Sequence, residues 1–311
     1  NVIGKIYAGI ADDMLTTTIM ATKAPKYLCP AMNTEMYNNP ITQRNLEGLR
    51  SLGYHIMDPA EGWLACGITG VGRLPEPEAI VDWLESKMCS TNELEGTTIL
   101  VTAGGTQESI DPVRYIGNRS SGKMGYAIAE QAARMGAKVI LVSAPTSLPI
   151  PSGVDFISVD SAVSMQEAVE ARYNDVNVVI MAAAVSDFRV LHKAEQKIKK
   201  MESMTIELVK NPDILQGLGS KKSHQILVGF AAETEHVIKY GQDKVAKKNL
   251  DMLVANDVSK SNAGFNVDTN EGYFLYPDKE PKEMPNMKKS DLARHILREV
   301  IDLVANKADI N

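Results

Sequence analysis

Cysteine is scarce: Cys29, Cys66 and Cys89 are the three in 311 residues. They show neither CxxC nor Cys/His spacing, and an odd count argues against a disulfide scaffold, so neither zinc nor cross-links are expected and a reducing cytoplasm is. No apolar run approaches the ~20 residues that span a bilayer. There is no charged n-region followed by an apolar h-region, so no signal peptide is expected. An excess of positive charge is also missing: the formal net charge is -6 and the sequence pI about 5.5. A general nucleic-acid binder is usually basic, so that class is disfavoured. Finally, the chain does not begin with Met. Its opening residues read as the middle of an element, and the expectation is that upstream residues are absent.

What is present is enough apolar residue, 44% of the chain, for two domains. In the first, Lys26–Cys29 is expected to be a strand running into PAMN. Helices are expected over Ile41–Leu52 and over Glu76–Met88, the latter with Ile80, Val81 and Leu84 inward. The polar stretch Cys89–Gly96 is expected to be a linker, placing the domains at 1–90 and 91–311. Beyond it, strands at Thr98–Thr102, Lys138–Val142, Asn177–Met181, Gln225–Phe230 and Met252–Ala255 alternate with helices at Gly122–Met135, Val163–Arg172 and Glu235–Lys248. Apolar strands separated by helices imply a parallel sheet covered on both faces, an α/β, Rossmann-like architecture. Gly272–Tyr276 and the Lys/Pro-rich stretch after it suggest a hairpin, and Lys288–Val304 a closing helix. Residues 189–204 are charged and poor in apolar side chains, and are expected to be a mobile surface loop.

Four stretches carry chemistry. In Gly104–Gly125, a strand runs into GGT and a second glycine loop opens a helix. Unpaired N–H groups at helix N-termini hold anions, and glycine permits close backbone approach, so Gly104, Gly105, Ser120, Ser121 and Gly122 are candidate phosphate contacts. Gly117–Lys123 fits GxxxxGK, but Met124 stands where a P-loop has Ser or Thr, which argues against a Walker NTPase. No GxGxxG dinucleotide fingerprint occurs, which weakens an NAD reading. Met181–Asp187 (MAAAVSD) leaves room at a strand's carboxyl end, and Asp187 there is a candidate partner for a base amino group or a metal. Lys197, ten residues on, is a candidate to close over a triphosphate and neutralise departing pyrophosphate. Lys210–Leu215 (KNPDIL) has Asn-Pro opening a helix, and Gly229–Thr234 (GFAAET) precedes a helix with Lys244 and Lys248 on one face. Each has a bland alternative: a turn, a capping residue or a solvated charge. In the first domain Pro30–Tyr37 (PAMNTEMY) reads as core plus a turn. Cys66, in the glycine-rich Ala65–Arg73, reads as a buried inert thiol.

Taken in order, these strings resemble the bifunctional coenzyme A biosynthesis flavoproteins, over essentially the whole chain. PAMNTEMY is similar to the PxMNxxMW motif of phosphopantothenoylcysteine decarboxylases, with Tyr37 in place of Trp. ACGITGVGR is similar to their substrate-recognition flap. GGTQESIDPVRYI, NRSSGKMG, AAAVSDF, KIKK, KNPDIL and GFAAET resemble the ligase half in order and spacing. The resemblance implies a flavodoxin-like decarboxylase domain, here only its C-terminal part, followed by a Rossmann-like phosphopantothenate–cysteine ligase. It implies FMN for the first, CTP as substrate with Mg2+ for the second, and small-molecule substrates throughout. It also implies a cytoplasmic homo-oligomer with a dimeric ligase, and no nucleic-acid or membrane partner. Asn33 would hold the substrate carboxylate and Cys66 would be a proton donor. Met181, Ala182, Ala183, Asp187, Lys197, Pro212, Asp213, Ile214, Leu215, Phe230, Lys244 and Lys248 match the CTP site, and Asn118 the residue tied to turnover of the acyl-cytidylate. Nothing before PAMN matches the family's flavin-binding strand and loop or its catalytic His, which leaves the flavin site incomplete in this chain. Two other classes are open: a flavin-binding regulatory protein without ligase activity, and an NAD(P)-dependent oxidoreductase.

Overall fold

The computed structural model describes residues 1–63, 67, 69–88, 92–200, 202–233, 236–257 and 269–308. They form two compact units, Asn1–Ser90 and Thr91–Asn311.

Unit 1 runs α1 (Val2–Ala8), α2 (Met14–Ala21), β1 (Tyr27–Leu28), α3 (Thr34–Asn38), α4 (Pro40–Ser51), β2 (His55–Ile56), β3 (Ala60–Trp63), β4 (Thr69–Arg73) and α5 (Pro77–Met88). The two opening helices carry no signal of the kind sought in the sequence. Asp13 nonetheless starts α2 with a reciprocal capping box to Thr16. In α4 only Leu46 and Leu49 are fully buried, while Ile41 and Leu52 are exposed. They sit at the helix ends, where the chain leaves the buried stripe. Val81 of α5 is likewise exposed, against expectation: it lies one residue, hence ~100° of turn, from Ile80. β3 and β4 pair antiparallel, and the glycines of β4 have a local cause. The Met32 N–H donates to the Gly72 carbonyl at 2.8 Å. A Cβ at Gly72 (φ +140°) would lie 2.1 Å from the Met32 carbonyl oxygen, so the PAMN turn closes directly on this ribbon.

Unit 2 runs β5 (Thr98–Ala103), β6 (Gln107–Ser109), β7 (Tyr115–Gly117), α6 (Lys123–Arg134), β8 (Lys138–Ser143), β9 (Val154–Ser158), α7 (Ala162–Glu170) and β10 (Val178–Met181). There follow β11 (Phe188–Val190), β12 (Leu208–Lys210), α8 (Ile214–Ser220), β13 (Ile226–Glu233), α9 (Val237–Lys247), β14 (Met252–Asp257), β15 (Thr269–Leu275), β16 (Lys282–Lys288) and α10 (Lys289–Ala308). Eight strands form one sheet in the order β16-β15-β14-β13-β10-β5-β8-β9. From β14 to β9 every neighbour is parallel; β15 and β16 close the edge as an antiparallel hairpin. Alternate strand residues feed two cores. Ile99, Val101, Leu141, Ile180 and Val254 pack with Ile128 of α6 and Leu292 and Ile296 of α10. Leu100, Val142, Val179 and Leu253 pack on the other face with Met165 of α7, Leu218 of α8 and Val245 of α9. Burial on both faces is why these strands read as continuous apolar runs. Edge strand β9, in which half-buried residues are interrupted by exposed Asp155 and Ser158, lacks that run.

Two expectations change. The stretch proposed as a linker contains Leu94, buried among the residues of the first core with its N–H donated to the Met135 carbonyl at 2.9 Å; its polar neighbours masked one anchoring side chain. The loop at 189–204 is not a free excursion. It rises from a β11–β12 ribbon, and the Ala194 N–H donates to the Ile110 carbonyl at 2.9 Å.

Candidate functional site

In chain order the parallel strands β5, β8 and β9 step to one side, and β10, β13 and β14 to the other. The direction reverses between β5 and β10, and in open α/β sheets ligands bind at the carboxyl edge there. Both main sequence motifs leave the sheet at that point. They are tied to each other: the Ala183 N–H donates to Thr102 Oγ1 at 3.1 Å, the Ala184 N–H to the Gly104 carbonyl at 2.8 Å, and the Ser186 N–H to Thr106 Oγ1 at 2.9 Å. Asn118 completes the seam, its Nδ2 donating to the Ala184 and Val185 carbonyls at 3.3 and 3.2 Å. Two glycines make this possible. Gly104 (φ +80°) and Gly122 (φ +76°) adopt left-handed backbone. A Cβ at Gly104 would meet the Ala144 carbonyl oxygen at 2.7 Å.

The resulting cleft is about 350 Å³. One wall is the start of α6, Ser120–Gly125, whose first-turn N–H groups have no intrahelical acceptor. The rest of the lining is Ala182–Val185, Asp187, Phe230–Ala232, Lys244, Asn256, Asn270 and Lys289. Thus Asn118, Ser120, Ser121, Gly122, Ala182, Ala183, Asp187, Phe230 and Lys244 all line one cleft. The Asp187 carboxylate is exposed to the cleft. Gly105 lines an adjoining cleft on the β8 side, shared through Asn118, Ser120, Ser121 and Lys123.

Other candidates sit elsewhere. Met181 is buried in the second core, and Ile214 and Leu215 pack in the same core. Pro212 precedes α8, and the cap is Asp213, whose carboxylate accepts from the Gln216 N–H at 3.0 Å; proline was expected inside the first turn. Lys248, at the C-cap of α9, pairs with Asp213 at 2.9 Å. Burial pushes the Asp213 carboxyl up, but Lys248 and the Gln216 N–H outweigh it and hold it below the ordinary value. Lys197 is exposed and is not a lining residue of the cleft. Its neighbour Ile198, however, is anchored: its N–H donates to Asp111 Oδ2 at 3.1 Å and its carbonyl accepts from Arg114 Nη2 at 2.9 Å. The Asp111 side chain is fully buried. The Arg114 guanidinium, helped against burial by the N–H groups of Val113, Ile198 and Arg114, holds its carboxyl far below the usual range. In unit 1, Asn33 caps α3, accepting from the Glu35 N–H at 2.9 Å, and Cys66 lies outside the described residues. Sequence reasoning passed over Asp111, Arg114, Asn256, Asn270 and Lys289. Asp111 and Arg114 lie within IDPVRYI, so that motif was their only signal.

Residues 94–304 match the model of the DNA/pantothenate metabolism flavoprotein C-terminal domain, and residues 1–89 the Flavoprotein model. The coenzyme A biosynthesis bifunctional protein CoaBC of Bacillus subtilis (strain 168) is 49% identical over 97% of this chain and 76% of its own length. The chain belongs to the coenzyme A biosynthesis bifunctional protein family. The protein of the same name from Escherichia coli (strain K12) is 44% identical over 97% of this chain and 75% of its own length. Among solved structures, the C-terminal domain of a bifunctional protein CoaBC aligns with TM-score 0.61 at 44% identity, covering 70% of this chain and all of that one. The DNA/pantothenate metabolism flavoprotein from Streptococcus pneumoniae, 23% identical, shares the fold with TM-score 0.57, over 66% of this chain and 98% of that one. Family membership makes this an enzyme of coenzyme A biosynthesis, a flavoprotein decarboxylase fused to a ligase. It does not favour a regulatory flavoprotein.

Proposed function

We propose that unit 2 joins 4'-phosphopantothenate to cysteine at the expense of CTP. The substrate carboxylate attacks the α-phosphorus, a P–O bond breaks, and pyrophosphate leaves with its electron pair. The cysteine amine then attacks the acyl carbon, loses a proton, and expels CMP. Ala182 and Ala183 leave room beside the strand end for a base, and the nearby Asp187 carboxylate accepts from a cytosine amino group. Ser120–Gly122 and the first turn of α6 hold an anion. Lys244 neutralises charge developing on the leaving group. Phe230 packs at the cleft wall, while Met181 and Pro212–Leu215 with Lys248 form the packed support behind it. Lys197 enters from the anchored loop as the triphosphate binds. Asn118, holding the seam between the two motifs, fixes the loop that faces the acyl phosphate.

Among the described residues no group of three or more His, Cys, Asp or Glu is placed to hold a metal. Mg2+ is bound by one or two carboxylates plus phosphate oxygens and water; with Asp187 engaged by the base, the described lining of the cleft holds no second carboxylate, so the triphosphate oxygens would be its main ligands. When bound, that ion neutralises phosphate charge. In unit 1, Asn33 would orient the acid for the decarboxylase, and Cys66 is assigned the proton donor. FMN is the cofactor the flavoprotein family implies. The shallow cleft of unit 1 lined by Met14, Thr17, Thr18, Ala21 and Thr22 offers no cation to its phosphate and does not fit it. The functional assembly is a homo-oligomer with a dimeric ligase, acting in the cytoplasm on small molecules. No helix among the described residues is long and apolar enough to cross a membrane.

The observation that carries the ligase reading is the crevice at the strand-order reversal, where Asn118 joins the glycine loop to the small-residue strand end. The test is pyrophosphate release with CTP, 4'-phosphopantothenate and cysteine. Release that requires all of CTP, acid and enzyme supports it; turnover with ATP as good as with CTP would refute the role of Asp187.

A further inference from the structure

Asp187 lies between β10 and β11, and its backbone is held from both sides. On one side the Ser186 N–H donates to Thr106 Oγ1 at 2.9 Å, and Thr106 is fully buried. On the other side is Asn211, 5% exposed, the asparagine of the KNPDIL string. Its N–H donates to the Asp187 carbonyl at 2.8 Å, and its Nδ2 donates to the Ser186 carbonyl at 2.8 Å. Asn211 thus extends the β11–β12 ladder by one bond beyond the Phe188–Lys210 pair, and Pro212 after it favours the extended backbone that this requires. The Arg189 guanidinium, which can only donate, reaches Asn211 Oδ1 at 3.1 Å and the Lys210 carbonyl at 3.0 Å. That contact turns the amide so that Nδ2 faces Ser186. With the carbonyls of Ser186 and Asp187 both engaged, the two peptide planes that flank the Asp187 Cα are fixed. The Cα–Cβ bond then has one direction, and the exposed carboxylate it carries lines the cleft.

A buried asparagine needs partners wherever it lies. Here its N–H and its amide both go to the peptides on either side of the carboxylate that lines the cleft. We propose, on the reading of unit 2 as a CTP-dependent ligase, that Asn211 is a positioning residue for base selection: it aims the Asp187 carboxylate at the cytosine amino group. Cytosine carries a hydrogen-bond donor where uracil carries a carbonyl oxygen. A carboxylate held in place accepts from the first and repels the second, whereas one free to swing does neither well. Aspartate could not stand in for Asn211, because it would set an oxygen against the Ser186 carbonyl. The base is remote from the reacting phosphorus, so its contact serves ground state and transition state alike and is read in KM rather than kcat.

The test is steady-state pyrophosphate release by the whole chain, with 4'-phosphopantothenate and cysteine saturating and either CTP or UTP varied. The unaltered protein is expected to prefer CTP. Asn211→Ala should raise the KM for CTP by roughly 10–100-fold, the loss of a hydrogen bond to a charged group. It should change the KM for UTP little and leave kcat nearly unchanged, so that discrimination between the two collapses. Asp187→Ala should do the same, and adding Asn211→Ala to it should not alter the CTP/UTP ratio further, as befits a residue that acts only through its partner. Arg189→Gln, at a half-buried position, should act in the same direction more weakly; it decides the matter if Asn211→Ala does not fold, an unchanged ratio overturning the assignment. An Asn211→Ala protein that keeps the preference, one that loses both nucleotides equally, or two substitutions whose effects on the ratio add would each overturn it as well. Equal use of CTP and UTP by the unaltered protein would instead remove Asp187 from the base, and no release at all would remove the ligase reading; the role of Asn211 would fall with either.

Discussion

Gly125→Ala sets two effects against each other. Gly125 is in the first turn of α6, where helix propensity alone would favour alanine by about 0.5–1 kcal/mol. Packing says the opposite. The added Cβ would lie 2.6 Å from Ala103 Cβ and 2.8 Å from the Thr102 carbonyl oxygen, both on β5. Carbon atoms rest at ~3.5–4.0 Å, so the helix start must withdraw from the sheet by about 1 Å. Overpacking of this kind costs roughly 1–3 kcal/mol and should win, since neither Ala103 nor a strand carbonyl can swing aside. In a unit of this size each kcal/mol lowers Tm by about 2–4 °C. The same withdrawal moves the first-turn N–H groups away from the position proposed for the anion. Misplacement by about 1 Å can cost on the order of 100-fold in rate. Calorimetric unfolding and pyrophosphate release with CTP would be measured together. A variant with raised Tm and full activity would show that α6 does not approach β5 this closely, and the account of the glycine loop would fall with it.

Asn118→Asp places a negative charge beside an anionic intermediate and trades two hydrogen bonds to the Ala184 and Val185 carbonyls for repulsion; acyl-cytidylate should form and persist, and normal product formation would refute this. Lys197→Gln should slow acyl-cytidylate formation far more than it weakens CMP, which lacks the β- and γ-phosphates. In the intact protein, CTP should protect Lys197–Lys200 from trypsin and CMP should do so poorly; equal cleavage with and without CTP would leave Lys197 a surface charge. Asp111→Asn should release Ile198 and raise the KM for CTP. Because the folded carboxyl sits below its unfolded value of about 3.9, its contribution is present above that pH and fades as pH falls toward the folded value. The stability gap between Asp111→Asn and the unaltered chain, followed by denaturant midpoint, should be flat from neutral pH down to about pH 5 and narrow below about pH 4; a gap that widens in acid would contradict the buried ion pair.

What the residues determined by themselves is the alternation. Strands such as Val178–Met181 are buried on both faces and so must be apolar at every position, and α6 must carry a stripe of small and apolar residues toward them. Local chemistry also marked the glycine loop and the small-residue strand end, because left-handed backbone at Gly104 and Gly122 restricts those positions to glycine. Pairwise placement across the fold was not legible. That Lys248 spends its charge on Asp213, that Asp111 anchors the loop beside Lys197, and that Leu94 belongs to the core rather than a linker all depend on contacts between residues far apart in the chain.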